Sequence, residues 1–226
     1  MADVFTLPDR QALDDLATFL GRAGRVDNGS VRVIAGGGIL AVYVAVLYPS
    51  GLLDESPTIL GLRTFAVVEK EAFDAVVPVA SLLMRVENAQ NQVTDAAAPV
   101  PLTLPMQVNT VTWAAISPPR GGWSRLDPVS ADLLTLVGRS GIEEVAAAVP
   151  TGTGEQIVHR VRSEVWGRPV RGAAHIPAGV AFAALSLGFL GPDDETLPVF
   201  ETGPWSRVTT KRGHVLVKRR AWSLAK

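Results

Sequence analysis

The sequence predicts an α+β fold in two modules, and three observations carry that expectation. Residues 26–69 are dense in Val, Ile, Tyr and Thr and are cut into runs by turn residues, which suits strands. Stretches on either side place apolar residues at helical spacing. The charge balance changes sign at a proline- and glycine-rich break: residues 1–119 hold 12 acids and 7 bases, and residues 120–226 hold 10 acids and 14 bases. The expected architecture is an N-terminal antiparallel sheet with two helices over residues 1–118. A mainly helical module closed by a C-terminal β-hairpin, with a winged-helix-like layout, is expected over 119–226.

The opening TLPDRQALDDLATFLGRAGR reads as a helix. Pro8 suits a first turn, Thr6 and Asp9 have capping-box spacing, and Leu13, Leu16, Ala17 and Leu20 share a face. After the turn signal Asp27–Gly29, the runs SVRVIA, ILAVYVAVLY and TILGLRTFAVVE read as three strands. A second helix is expected over AFDAVVPVASLLMRVENA, with Pro78 at a first turn or a kink, and a fourth strand over MQVNTVTWAAIS. Asn91–Pro105 reads as a connector loop, and Ser117–Pro128 holds the module boundary. In the second half, DPVSADLLTLVGRSGIEEVAAAV gives one long or two short helices. TGTGEQIVHRVRSEVWG gives another with Thr153 and Gln156 as a capping box, IPAGVAFAALSLGFLG an apolar buried one, and PWSRVTTKRGHVLVKRRAW the hairpin.

Composition excludes several classes of chemistry. Cysteine is absent, which removes disulfides, thiol nucleophiles and thiolate metal sites and suits a cytoplasmic location. No signal segment is visible at the N-terminus. The uncharged stretches Val33–Leu53 and Gly172–Pro192 carry glycines together with Pro49 and Pro177, and read as buried core rather than membrane spans, so no membrane partner is expected. No cofactor is expected either.

Gly36-Gly37-Gly38-Ile39-Leu40-Ala41 formally matches a phosphate-cradling G-x-G-x-x-A loop, with Asp54 at the distance of a ribose-binding acid. Such a loop needs a helix after it, and Val42, Tyr43, Val44 and Val46 favour a strand. SGLL, between Pro49 and Asp54, is too short for the second strand of that fold. Hence Gly36, Gly37 and Gly38 read first as a hairpin turn and only secondarily as a nucleotide loop. TGTGEQ at Thr151–Gln156 reads as helix capping ahead of an anion nest, His159 with Glu155 as a surface contact ahead of a metal pair, and Pro192–Glu195 as a solvated turn.

A short repeat is the most informative feature: Gly121-Gly-Trp-Ser-Arg-Leu126 and Gly203-Pro-Trp-Ser-Arg-Val208. Trp beside Arg anchors interfaces through apolar area and cation–π contact, which makes Trp123, Arg125, Trp205 and Arg207 candidate partner-binding residues. The alternative is that each Trp closes the core of its own module. After Glu201 no acid follows, so Lys211, Arg212, Lys218, Arg219 and Arg220 are candidates for weak, sequence-blind contact with nucleic acid.

The segments LGLRTFAVVE, SPPRGGWSRL and WSRVTTKRGHVLVKR resemble an uncharacterised actinobacterial protein family of two modules without assigned activity, which implies no catalytic residue. The expected function is a non-enzymatic cytoplasmic interaction or regulatory protein acting through self-association or a protein partner. Weak nucleic-acid binding by the hairpin and nucleotide or small-ligand binding at Gly36–Gly38 are the alternatives.

Overall fold

A computed structural model describes residues 3–51, 53–108, 111–150, 152–192 and 195–219. The chain runs β1 (Val4–Leu7), α1 (Arg10–Val26), β2 (Ser30–Gly36), β3 (Ile39–Leu47), β4 (Thr58–Ala66), β5 (Phe73–Pro78), α2 (Val79–Gln92) and β6 (Val100–Thr103), then a short 3-10 turn at Thr112–Ala115. It continues with β7 (Ser124–Ser130), α3 (Ala131–Ala148), α4 (Glu155–Gly167), β8 (Pro169–Val170), β9 (Ala173–Pro177), α5 (Gly179–Ser186), β10 (Thr196–Thr202), β11 (Trp205–Thr209) and β12 (His214–Lys218).

Eight strands form one sheet in the order β5-β2-β3-β4-β12-β11-β10-β7. Pairings β2–β3, β2–β5, β10–β11, β10–β7 and β11–β12 are antiparallel. Two small antiparallel ladders, β1–β6 and β8–β9, stand apart from it. The chain divides into two compact units, residues 1–44 with 62–116 and residues 45–61 with 117–226, so β3 and β4 each contribute to both.

This sheet overturns the expected architecture. The second half is not a mainly helical, winged-helix-like module: β7, β10, β11 and β12 put it into a large sheet. Ser124–Ser130 escapes a periodicity reading because, as the terminal strand of the sheet, it buries only Val129 and shows no alternation. Pro128 lies within it, as an edge strand tolerates. Phe73–Pro78 is a strand rather than the start of a helix, and α2 begins only at Val79, directly after Pro78. Asn91–Pro105 contains β6, while the expected fourth strand over residues 106–117 is a 3-10 turn among its described residues.

In the first unit, Asp9 caps α1 by accepting from Ala12 N at 2.8 Å, so Thr6, which lies in β1, is not the cap. Leu13, Leu16, Phe19, Leu20 and Ala23 form the buried stripe of α1, which packs on α2 through Val79, Leu82 and Val86. Thr6 instead donates its hydroxyl and its backbone N–H to the Glu69 carboxylate, and the hydroxyl bond holds that acid below its ordinary pKa.

In the second unit, Ser130 caps α3, a single uninterrupted helix whose two glycines permit close packing. A Cβ on Gly138 would stand 3.1 Å from the Ala181 carbonyl oxygen of α5, and one on Gly141 would stand 2.2 Å from the Trp166 ring. Trp166 stacks on Phe182 with ring centroids 4.5 Å apart, a pairing worth roughly 0.5–1.5 kcal/mol beyond its buried area. α4 starts after Gly154 without a side-chain cap, and Thr153 donates its hydroxyl to the Pro150 carbonyl instead of capping. Apolar α5 is buried, as its uniform hydrophobicity predicts. Among the described residues no helix is long and apolar enough to cross a membrane.

Candidate functional site

The triple glycine is a turn between strands. Gly36 pairs with Ile39, leaving Gly37 and Gly38 as a two-residue loop with φ of +62° and +83°. Two consecutive positive φ values are the signature of the tight hairpin turn whose twist matches its strands. Residues 31–36 pair with 39–44 in unbroken register, so no helix N-terminus faces the glycines, and Gly36–Gly38 form a hairpin turn rather than the expected alternative of a phosphate loop.

Asp54 has a different task from binding ribose. Its carboxylate accepts from the backbone N–H and hydroxyl of Ser50, from both those groups of Ser56, and meets His159 Nε2 at 2.7 Å. Burial alone would raise its pKa, but the bonds from Ser56, Ser50 and His159 together hold it well below the usual carboxylate range. The β3–β4 loop is thereby tied to α4. Asp54, Ser50, His159, Ser163, Glu155 and Arg160 line an open cleft of about 660 Å³. The trio is not a nucleophilic relay, because Ser163 Oγ (3.3 Å) and Asp54 Oδ2 approach the same ring nitrogen, Nε2. A relay needs the carboxylate on one nitrogen and the hydroxyl on the other. Glu155 shares the cleft with His159, yet among the described residues no group of three or more His, Asp or Glu is placed to hold a metal ion.

The two Trp-Ser-Arg segments meet across one strand. Phe200 of β10 pairs with Arg125 of β7 on one side and with Arg207 of β11 on the other, so all three side chains share a sheet face. The Arg207 guanidinium lies 4.6 Å from the Trp123 ring centroid and 4.7 Å from that of Phe200. Trp123 is half-buried and donates Nε1–H to the Pro119 carbonyl at 3.2 Å, whereas Trp205 is buried at 4 % exposure. Trp205 therefore packs in the core of its unit, and Trp123 keeps an accessible surface.

The basic hairpin does not form one open stripe. Lys211 and Arg212 sit in its turn, which Thr210 organises by donating to Gly213 O and accepting from the N–H groups of Arg212 and Gly213. Arg219 pairs with Glu201 at 3.4 Å, and Lys218 lies opposite Trp205. Arg220 lies outside the described residues, as do Thr151 and two residues of the Pro192–Glu195 turn. His175, on β9, has a buried Nε2 without a partner among the described residues.

Comparison with known proteins adds the fold's relatives. Residues 1–105 match Domain of unknown function (DUF8010), and residues 118–222 match Domain of unknown function (DUF8185). No curated protein sequence matches the chain. Among solved structures it is similar to the pol III beta of Caulobacter crescentus, with TM-score 0.51 and 12% identity over 99% of this chain and 67% of that one. A DNA polymerase sliding clamp from Caulobacter crescentus gives TM-score 0.50 and 14% identity over 98% of this chain and 67% of that one. The DNA polymerase III subunit beta of Borrelia burgdorferi gives 0.51 and 8% over 98% and 66%. This chain thus spans about two thirds of the length of those proteins. The likeness overturns the expectation of an interaction or regulatory protein with a winged-helix-like second half, together with its alternatives of hairpin-mediated nucleic-acid binding and a nucleotide loop. What two matched domains of unknown function share, across nearly the whole chain, is a sliding-clamp-like fold.

Proposed function

We propose that this chain is a sliding-clamp-like protein that works as an assembly of copies and is retained on DNA by closure rather than by charge. The observation that carries this reading is the fold likeness to DNA polymerase sliding clamps over 98–99% of the chain. A chain two thirds of their length would reach the same enclosure by associating with further copies, which favours a homo-oligomer. A cytoplasmic setting beside DNA follows, and the excess of Arg over Lys supports an actinobacterial source. Residues 1–118 and 119–226 serve as the chain's two modules.

Charge sets the manner of holding. By composition, α1 holds Arg10, Arg22 and Arg25 with Asp14 and Asp15, α2 holds Arg85 with Glu87, and α3 holds Arg139 with Asp132, Glu143 and Glu144. No helix carries more than one cation in excess, so phosphate neutralisation supplies little affinity and direct binding is weak and salt-sensitive.

The test is native mass by light scattering from micromolar concentration upward, followed by retention on nicked circular against linear duplex of the same sequence. The reading expects an oligomer and a complex that survives moderate salt only on the circle. A monomer at every concentration, or equal loss from both DNAs, would overturn it.

A further inference from the structure

Among the described residues, Arg207 is the cation with a buried side-chain nitrogen left without a hydrogen-bond partner. Arg32 and Arg168 are each held by carboxylates, Asp74 for the first and Glu144 with Glu164 for the second, and those acids raise their pKa values. For Arg207 burial lowers the pKa and no acid offsets it. Its Nε is buried without a hydrogen-bond partner among the described residues. A desolvated guanidinium lacking an acceptor is costly, and two aromatic faces compensate only part of that cost.

The register supplies the rest of a receptor. Arg125 and Arg207 flank Phe200 on one sheet face, two strand spacings or roughly 10 Å apart. Trp123 covers Arg207 from one side and is itself only half-buried. Cations and apolar rings therefore alternate over a few residues, with Arg125 exposed.

We propose that the Arg125–Phe200–Arg207 face with Trp123 binds an acidic peptide segment of a protein partner, a carboxylate engaging the Arg207 fork while an apolar side chain lies on Trp123 and Phe200. Charge complementarity selects this occupant. A planar guanidinium fixed between rings matches one carboxylate at short range. A nucleic-acid backbone instead rewards an unbroken run of cations, and here Asp127 stands two residues from Arg125 along β7. This site goes beyond the clamp reading and does not depend on it.

The test uses fluorescence anisotropy of the full chain with a labelled octapeptide of Glu residues around a central Phe. A Gln counterpart and a labelled DNA duplex serve as comparison probes. The Glu peptide should bind more tightly than the Gln peptide, with about tenfold loss in Arg207→Ala and a several-fold loss in Arg207→Lys, because Lys keeps the charge but not the fork. Arg125→Ala, at an exposed strand position, should weaken binding while leaving the melting curve unchanged, which separates recognition from folding. Equal binding of the Glu and Gln peptides, or Glu binding unaltered by Arg207→Lys and Arg125→Ala, would refute the proposal. So would a duplex that binds better than the peptide and loses affinity in the same variants.

Discussion

Gly141 of α3 lies flush against the indole of Trp166, with space for a hydrogen and none for a methyl group. The ring occupies the volume a side chain would take, and it also stacks on Phe182. Gly141→Ala should therefore destabilise the protein by about 1–3 kcal/mol, overpacking outweighing the better helix propensity of Ala. Gly21→Ala in α1 is the opposite case, since nothing lies within 4 Å of its added Cβ. That substitution should raise stability by about 0.5–1 kcal/mol. Thermal melts of both variants check the pair, and a stabilised Gly141→Ala protein would contradict this packing.

The β2–β3 turn makes a residue-specific demand. Gly37→Val, placing a β-branched side chain at φ +62°, should cost about 1–2 kcal/mol, and Gly37→Asn much less. Urea midpoints of the two variants supply the comparison, and equal midpoints would mean the turn relaxes.

For Asp54 the sign of the pH effect follows from a depressed carboxylate pKa. Its stabilising contribution is fully present above the ordinary Asp value of about 3.9 and is lost as pH falls through the lower folded value. Asp54→Asn should lower stability at neutral pH by about 1–2 kcal/mol, a figure reduced for the partial exposure of the loop. The gap between variant and wild type should close in strong acid. Denaturant unfolding at neutral pH and in acid tests this, and a gap independent of pH would assign the loss to something other than the charge.

His214 acts in the same direction, in a higher pH window. Burial first, and then the positive charge of Arg207, lower its pKa. The unfolded chain therefore takes up the proton first as pH falls below about 6.5, so stability decreases from there down to the folded pKa. Arg207→Gln should move the His214 pKa up without restoring the ordinary value, because burial remains. Imidazole proton shifts measured against pH report it directly, and an unmoved pKa would remove Arg207 from the cause.

Legibility in the sequence tracked how local each signal was. β2, β3 and β4 were readable because β-branched residues and the Gly37–Gly38 turn act within a few positions. α1 was readable from Asp9 and its apolar stripe. β5 was hidden because Phe73–Val77 is apolar enough to extend the helical pattern of α2 backwards across Pro78. β7 and β10 were hidden because their order in the sheet comes from a partner about 70 residues away. The same distance problem concealed the loop brace: Ser50, Asp54 and Ser56 form a local turn signature, but His159 reaches it from 105 residues on. The Trp-Ser-Arg repeat was visible as a pattern, while the fact that Phe200 stands between its two arginines is a property of register alone.

The second unit contains residues 45–61 as well as everything from Ser117 onward, and Ile59 illustrates what that stretch supplies. Its Cδ1 would stand 2.3 Å from a Cβ on Gly179, at the start of α5. A gene fragment encoding only the C-terminal part would thus yield a polypeptide with a hole where Ile59 and Leu60 belong, both fully buried in the whole chain. Recombination that moved residues 117–226 alone would therefore deliver an unfilled core, whereas the first unit lies wholly within residues 1–116.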